Sequence, residues 1–161
     1  MIRAPRRRIS SVAASLALLV ALSACRSLGP APHSRYRAIH EYAINGEVER
    51  VSADIASTPG DLNLPDDAGD TPLHLAAMHC RMPVIVFLVT KRAAVNRKDR
   101  GGATALHLAA QEGCLPAVTS LLGSGAKVNA RDKAHRTPLK RAQEAHNGEI
   151  ATVLRQHGGV E

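Results

Sequence analysis

Histidine and cysteine are the residue types in this chain that could hold a metal or supply a nucleophile. The 161 residues include eight His and three Cys. Structural zinc sites take two pairs of such ligands at short, fixed spacings. His79 and Cys80 are adjacent, Cys114 lies far along the chain, and no second pair falls nearby. We therefore expect no metal site and no cofactor.

Catalytic arrangements are also missing from the pattern. The chain shows no nucleophile–base pair, no glycine-rich phosphate loop and no clustered carboxylate pair. Asp66 and Asp67 are adjacent in a turn, where two carboxylates point in different directions and meet water. The sequence predicts that the protein is not an enzyme. The alternative from that class is a small enzyme or metal-binding protein that uses His79, Cys80 and Cys114.

Three segments that could position these residues repeat at a fixed interval of 33 residues. They are TPLHLAA from Thr71, TALHLAA from Thr104 and TPLKRAQ from Thr137. A strict period of this length indicates one supersecondary unit copied in series, each copy burying its apolar face against the next. Each Thr fits a helix N-cap, and two are followed by Pro at the first helical position. Pro83 and Pro116, again 33 apart, fit the start of a second helix.

A turn signature precedes each of these threonines. It reads D-x-x-G-x-T twice, and the last copy carries His135 in place of the glycine. Glycine supplies a positive φ at no steric cost, and His is one of the few other residues that tolerate it. The sequence therefore predicts a tight turn before each helix pair.

Together these motifs resemble ankyrin repeats, with their pattern D-x-x-G-x-T-P-L-H-x-A-A, two later apolar pairs and G-A-x-V-N. The resemblance implies an all-α fold, an ankyrin-repeat solenoid of about four helix-turn-helix units joined by β-hairpin-like loops. The repeats would span about 36–66, 67–99, 100–132 and 133–161. In this family the motif histidine bonds to loop backbone, which implies a structural role for His74, for His107 and, in the first copy, for His40.

Cys80 and Cys114 lie 34 residues apart, one position out of register with the repeat. Neighbouring repeats stack at about 10 Å if they follow helix-packing distances, whereas a disulfide needs Cα atoms within about 7 Å. A bridge is an alternative in an oxidising compartment. We expect two free, partly buried thiols.

Residues 1–24 look like a lipoprotein signal peptide. An arginine-rich start precedes a short apolar run that ends in LSAC at Cys25, which resembles the lipobox of bacterial lipoproteins. The resemblance implies cleavage before Cys25 and attachment of lipid to it. The alternative is an ordinary secretory signal. Residues 25–35 would then form the lipidated Cys and a flexible tether, and residues 36–161 the repeat domain.

The implied location is the cell envelope, anchored to the membrane through lipid on Cys25 and facing the periplasm. Arg26 favours the outer membrane, because an Asp there would suggest inner-membrane retention in enterobacteria. Both general and twin-arginine export stay open. The formal net charge of +7 becomes +3 once the four arginines of residues 1–24 are removed. Mild basicity with 2% aromatic residues does not predict nucleic-acid binding.

In ankyrin proteins the hairpin tips and the exposed positions of the first helix usually form the partner surface. Carried over by register, the implied partner-binding residues are Asp67, Asp70, Met78, His79, Arg100, Ala103, Gln111, Glu112, Lys133, Arg136 and Glu144. The tips change from acidic to basic along the array, which would orient a partner of opposite charge gradient. The alternative is that these charges only solubilise exposed turns.

The leading interpretation is a monomeric, lipid-anchored periplasmic protein that binds one or more envelope proteins and no nucleic acid. Two more specific alternatives stay open. One is an immunity-type inhibitor of a toxic envelope enzyme, and the other is a catalase-associated oxidative-stress protein.

Overall fold

The computed structural model describes residues 32–161, of which Arg35–Glu161 form one compact unit. The predicted signal peptide and Cys25 lie outside the described residues. Within residues 32–161 there are eight α-helices, one 3-10 helix at Pro59–Asn63 and no β-strand. The α-helices are α1 (Pro32–Asn45), α2 (Val48–Ser57), α3 (Pro72–Met78), α4 (Met82–Thr90), α5 (Ala105–Glu112), α6 (Leu115–Gly123), α7 (Pro138–Glu144) and α8 (Gly148–Gln156). None of these helices is long and apolar enough to cross a membrane.

The helices form antiparallel pairs that stack in two layers. The first helices of the pairs, α3, α5 and α7, pack against one another, and the second helices α2, α4, α6 and α8 form the other layer. Contact is more extensive between neighbouring first helices, whose motif alanines Ala76, Ala109 and Ala142 are fully buried. The first helices therefore form the more closely packed of the two layers, which we call the first-helix layer. This confirms the predicted all-α helix-turn-helix solenoid.

The repeated threonines start the first helices as predicted. Thr71, Thr104 and Thr137 are N-caps in extended backbone conformation with φ between −85° and −104°. Pro72 and Pro138 follow at a position where the missing N–H leaves no helical bond unmade. These local signals set where each first helix begins.

The first helix begins earlier than the sequence indicates. We expected a flexible tether up to residue 35, but Pro32 starts α1, so residues 32–35 form its first turn. Proline at the start of a helix is compatible with this, because its φ is already near the helical value. The compact unit itself begins at Arg35, and the boundary between tether and repeat domain at residue 36 stays a prediction.

An asparagine ladder fixes the spacing of successive repeats. The side-chain oxygens of Asn63, Asn96 and Asn129 each accept the backbone N–H of the residue 31 positions later, at 2.7, 2.7 and 2.8 Å. Asn96 and Asn129 also donate to the carbonyls of Gly125 and Gly158. The loop that ends each repeat is thereby tied to the same loop of the next.

Cys80 and Cys114 form a disulfide, with their Cα atoms 5.6 Å apart. The expectation of two free thiols was wrong. It assumed that residues one position out of register lie a full repeat spacing apart. The structure shows instead that this offset is the position at which neighbouring repeats meet.

The residue that precedes α4, α6 or α8 contacts the preceding repeat at or near the end of its first helix. Arg81 Nε donates to the carbonyl of Ile44 at 2.6 Å, and Asn147 Nδ2 donates to that of Ala110 at 2.9 Å. Cys114 holds the same N-cap position as these two residues. One recurring contact is therefore made by an arginine, a disulfide and an asparagine in turn.

Candidate partner-binding surface

Three short hairpins precede the first helices, at residues 66–70, 99–103 and 132–136. In each, the backbone N–H of the opening Asp donates to the carbonyl four residues later, at 2.8, 2.9 and 3.0 Å. The same Asp accepts that residue's N–H through Oδ1 at 2.8, 2.7 and 2.9 Å. The repeated Asp therefore closes each hairpin. We call the three hairpins, together with the exposed positions of α3, α5 and α7, the hairpin surface.

The hairpins are bonded edge to edge. Arg100 N donates to the carbonyl of Ala68 at 3.0 Å, and Lys133 N donates to that of Gly101 at 2.8 Å. Gly102 has a φ of +78°, and a Cβ there would lie 2.9 Å from Lys133 N. His135 occupies the same register with a φ of 60°, and no later hairpin in the described residues packs against it. This explains why a side chain is tolerated in the third hairpin.

Gly102→Ala should lower the free energy of unfolding by about 2–3 kcal/mol, because alanine adds both a strained φ and a backbone clash. His135→Ala should change it by less than about 0.5 kcal/mol, since an L residue already holds that conformation without a packed neighbour. Urea titration of the two variants measures the difference. Equal losses would show that hairpin stacking does not restrict this position.

The motif histidines join each first helix to the next hairpin. His107 Nδ1 accepts the N–H of Thr104 at 3.1 Å, and its Nε2 donates to the carbonyl of Arg136 at 3.1 Å. His74 Nε2 bonds to Ala103 in the same way at 3.3 Å. Burial lowers the pKa of His107 to about 4 and also lowers that of His74. Both rings are neutral at pH 7, and the predicted structural role of these histidines is confirmed.

The third hairpin carries an ion-pair network. Asp132 Oδ2 accepts hydrogen bonds from Arg141 Nη2 at 2.8 Å and from Arg136 Nε at 3.0 Å. Burial raises the pKa of Asp132, but the hydrogen bonds from these two arginines outweigh it and lower the pKa to about 2. Arg141 also bonds to Gln111, and Arg136 lies 3.4 Å from Glu144. Gln111, Arg136 and Glu144, which the resemblance assigns to partner binding, are thus engaged within the chain.

Arg141 was not predicted to hold the hairpin surface together. Its position holds leucine in the two preceding copies, Leu75 and Leu108, which are both buried. This change from leucine to arginine at one register of the repeat was the signal that could have identified Arg141. The substitution replaces an apolar contact with a guanidinium that holds the third hairpin to the first-helix layer.

The first hairpin contains a buried carboxylate. Asp70 is 9% exposed, and its Oδ1 has no hydrogen-bond partner. Burial, followed by the charges of Asp66 and Asp99, raises the pKa of Asp70 to about 6, against a smaller opposing effect of His40. The Nε2 of His40 lies 3.0 Å from the carbonyl of Leu64, so this histidine also contacts loop backbone.

Two residues expected on the partner surface are not accessible. Asp70 is buried, and Ala103, at the same register of the next hairpin, is 1% exposed. These two residues precede the N-cap threonines of α3 and α5 and lie beneath their hairpins, whereas Arg136 at the same register of the third hairpin is half-buried. Asp70 and Ala103 are therefore removed from the predicted contact set.

Asp70→Ala should raise the free energy of unfolding at pH 7 by about 1–2 kcal/mol, since a pKa two units above normal corresponds to at most about 3 kcal/mol. The native pKa near 6 exceeds the unfolded value, so the native state binds this proton more tightly. The cost of the charged form is complete above pH 6 and vanishes toward pH 4. Urea titrations at both pH values, with the exposed Asp67→Ala as control, test this. A loss of stability at pH 7 would contradict it.

The remaining predicted residues lie on the hairpin surface. Met78 and Arg136 are half-buried, and the exposed ones are Asp67, His79, Arg100, Gln111, Glu112, Lys133 and Glu144. The hydrogen bond between Arg141 and Gln111 and the ion pair between Arg136 and Glu144 show that tips and first-helix positions adjoin in the last two repeats. Their role in partner binding stays a prediction.

Cys80 and Cys114, the two cysteines among the described residues, offer no free thiol for chemistry. Cys80 is exposed and Cys114 is 3% exposed, and both sulfurs are used in the disulfide. Among the described residues no group of three or more His, Cys, Asp or Glu side chains is placed to hold a metal ion. A metal site or nucleophile built from His79, Cys80 and Cys114 would require the disulfide to be reduced first.

Comparison with known proteins agrees with the geometry. A protein-family model described as ankyrin repeats (3 copies) matches residues 39–132 and 102–161, which together cover most of the chain. Among curated proteins, none matches the sequence.

Proposed function

Because the chain belongs to the ankyrin repeat family, we propose that it is a protein-binding module whose partner lies on the hairpin surface. Ankyrin repeats typically serve protein–protein interaction, and family members are typically binding scaffolds without catalytic activity. The observation that carries the proposal for this chain is a rigid set of hairpins with exposed polar tips. The backbone of each hairpin is fixed, while side chains such as Arg100 and Lys133 extend into solvent.

Preorganisation is what makes this surface suited to binding. His74 and His107, the hairpin aspartates and the edge-to-edge bonds hold the hairpin backbones in place before any partner arrives. A surface that is ordered in advance loses less conformational entropy on association. The structural residues of the repeat therefore support the variable residues that would contact the partner.

Substitution of first-helix positions tests the location of the partner. His79→Arg combined with Glu112→Arg changes two exposed residues at the C-terminal ends of α3 and α5, and it should weaken capture of the partner at least about tenfold. Thr119→Arg combined with Thr152→Arg places arginines at exposed positions of the second-helix layer as a control. Capture is measured by pull-down and quantitative mass spectrometry. Equal capture by both variants would exclude the first-helix layer as the contact.

We further propose that the protein is lipid-anchored at Cys25 and faces the periplasm, with the outer membrane favoured. The lipobox-like LSAC ending at Cys25 supports the anchor. The Cys80–Cys114 disulfide supports the location, because disulfides persist in oxidising compartments and are rare in the cytosol. An envelope protein is then the expected partner.

Lipidation is tested on the full chain expressed in a bacterial host. Cys25→Ser should abolish incorporation of labelled palmitate and move the protein from the membrane fraction to the soluble periplasmic fraction, because the attachment site is lost. Cys80→Ser is the matched control and should leave the labelling unchanged. Palmitate labelling that survives Cys25→Ser would contradict the anchor.

A further inference from the structure

We propose that the second and third hairpins hold an acidic segment of the partner protein, a step that rests on the proposed protein-binding function. The contact would be made by residues 97–103 and 131–136, which we call the basic tips.

The basic tips carry cationic side chains that the protein does not use internally. Within residues 32–161, four exposed cations of these tips make no ion pair and donate no side-chain hydrogen bond: Arg97, Arg100, Arg131 and Lys133. Arg136 and Arg141, by contrast, are paired with Asp132. Arg136 and Arg141 therefore stabilise the fold, whereas the four unpaired cations remain available to a partner.

These free cations are held close to one another. Lys133 N donates to the carbonyl of Gly101 at 2.8 Å, and Lys98 Nζ donates to that of Arg131 at 2.8 Å. Backbones joined in this way run about 5 Å apart, so Arg100 and Lys133, at the same register, extend from adjacent hairpins. Two positive side chains on adjacent hairpins repel each other. A carboxylate placed between them would relieve that repulsion and form charge-assisted hydrogen bonds.

The first hairpin limits the partner to a short acidic segment. Asp66 and Asp67 lie on the neighbouring hairpin, which is bonded to the second through Arg100 N and the carbonyl of Ala68. A uniform polyanion that follows the row of hairpins would meet these carboxylates. Nucleic acid would in addition need stacking side chains, and the chain has two Tyr, one Phe and no Trp. A protein segment whose charge changes from basic to acidic fits the whole row.

Fluorescence anisotropy with labelled peptides tests the inference. One peptide carries a lysine block followed by a glutamate block, a second carries the same residues in alternation, and a single-stranded DNA oligonucleotide is the third probe. We expect the block peptide to bind at least about tenfold more tightly than the alternating one, with affinity that falls as salt is raised. Equal binding of both peptides, or tighter binding of the DNA, would overturn the proposal.

A charge-reversal pair assigns the binding to the basic tips. Arg100→Glu with Lys133→Glu should weaken binding of the block peptide at least about tenfold. Lys127→Glu with Arg155→Glu changes the charge equally at exposed positions outside the tips and should leave binding within about twofold. Equal losses in the two pairs would overturn the assignment. If partner capture still depends on His79 and Glu112 while no peptide preference is found, the acidic-segment proposal fails and protein binding stands.

Discussion

Replacing Cys80 and Cys114 together with serine is expected to lower the free energy of unfolding by about 3–4 kcal/mol. The disulfide closes a loop of 34 residues, and in the chain-entropy account a cross-link of that span destabilises the unfolded state by about this amount. It also covalently joins the second repeat to the third, where the other interfaces use an arginine or an asparagine. Because each repeat contacts only its neighbours, the loss should fall on that one interface.

Guanidinium titration with and without reductant measures this effect. The reductant should shift the wild-type midpoint to that of the double serine variant, and it should leave the variant itself unchanged. Alkylation gives an independent readout, since both cysteines should resist it until they are reduced. A wild-type unfolding curve that is unaffected by reductant would contradict the prediction.

His107→Ala is expected to lower the free energy of unfolding by about 3 kcal/mol. The ring is fully buried, and its removal leaves a cavity as well as an unpaired N–H of Thr104 and an unpaired carbonyl of Arg136. Lys140 occupies the same register in the last repeat and is exposed. Lys140→Ala should therefore change stability by less than about 0.5 kcal/mol, and urea titration of both variants provides the comparison. Equal losses would show that the histidine has no special role.

The same histidine makes stability depend on pH. Its native pKa of about 4 lies below the usual histidine pKa of 6.5, so the unfolded chain takes up this proton first as the pH falls. Stability should decrease between pH 6.5 and 4, by up to about 3 kcal/mol from His107, and His74 adds a loss of the same sign. The slope should be smaller in His107→Ala. An unchanged slope in that variant would assign the pH dependence to other groups.

Features that recur with the repeat could be predicted from the sequence. The helix starts at Thr71, Thr104 and Thr137, the all-α solenoid and the roles of His74 and His107 follow from short motifs in a fixed register. Each depends on contacts within one repeat or between identical positions of neighbouring repeats. Seeing the motif twice was therefore enough to predict the contact.

Features that depend on the offset between repeats could not be predicted in this way. The disulfide joins Cys80 to Cys114, which lies one position beyond the equivalent of Cys80 in the next repeat. Only the structure shows that this position contacts the preceding repeat, because Arg81 and Asn147 make the same contact. The burial of Asp70 and Ala103 has a similar origin, because the neighbouring repeat covers them and not their own. Exposure at the hairpins is set by packing between repeats, which a register alone does not describe.

Photocrosslinking tests the central claim, that the hairpin surface holds a protein partner. A photoreactive residue is introduced singly at Asp67, Arg100 or Lys133 on the hairpins, and at Thr119 or Thr152 on the second helices, all of which are exposed. We expect covalent adducts with the same partner protein from the hairpin positions and none from the second-helix positions. Adducts that form only at Thr119 and Thr152 would contradict it.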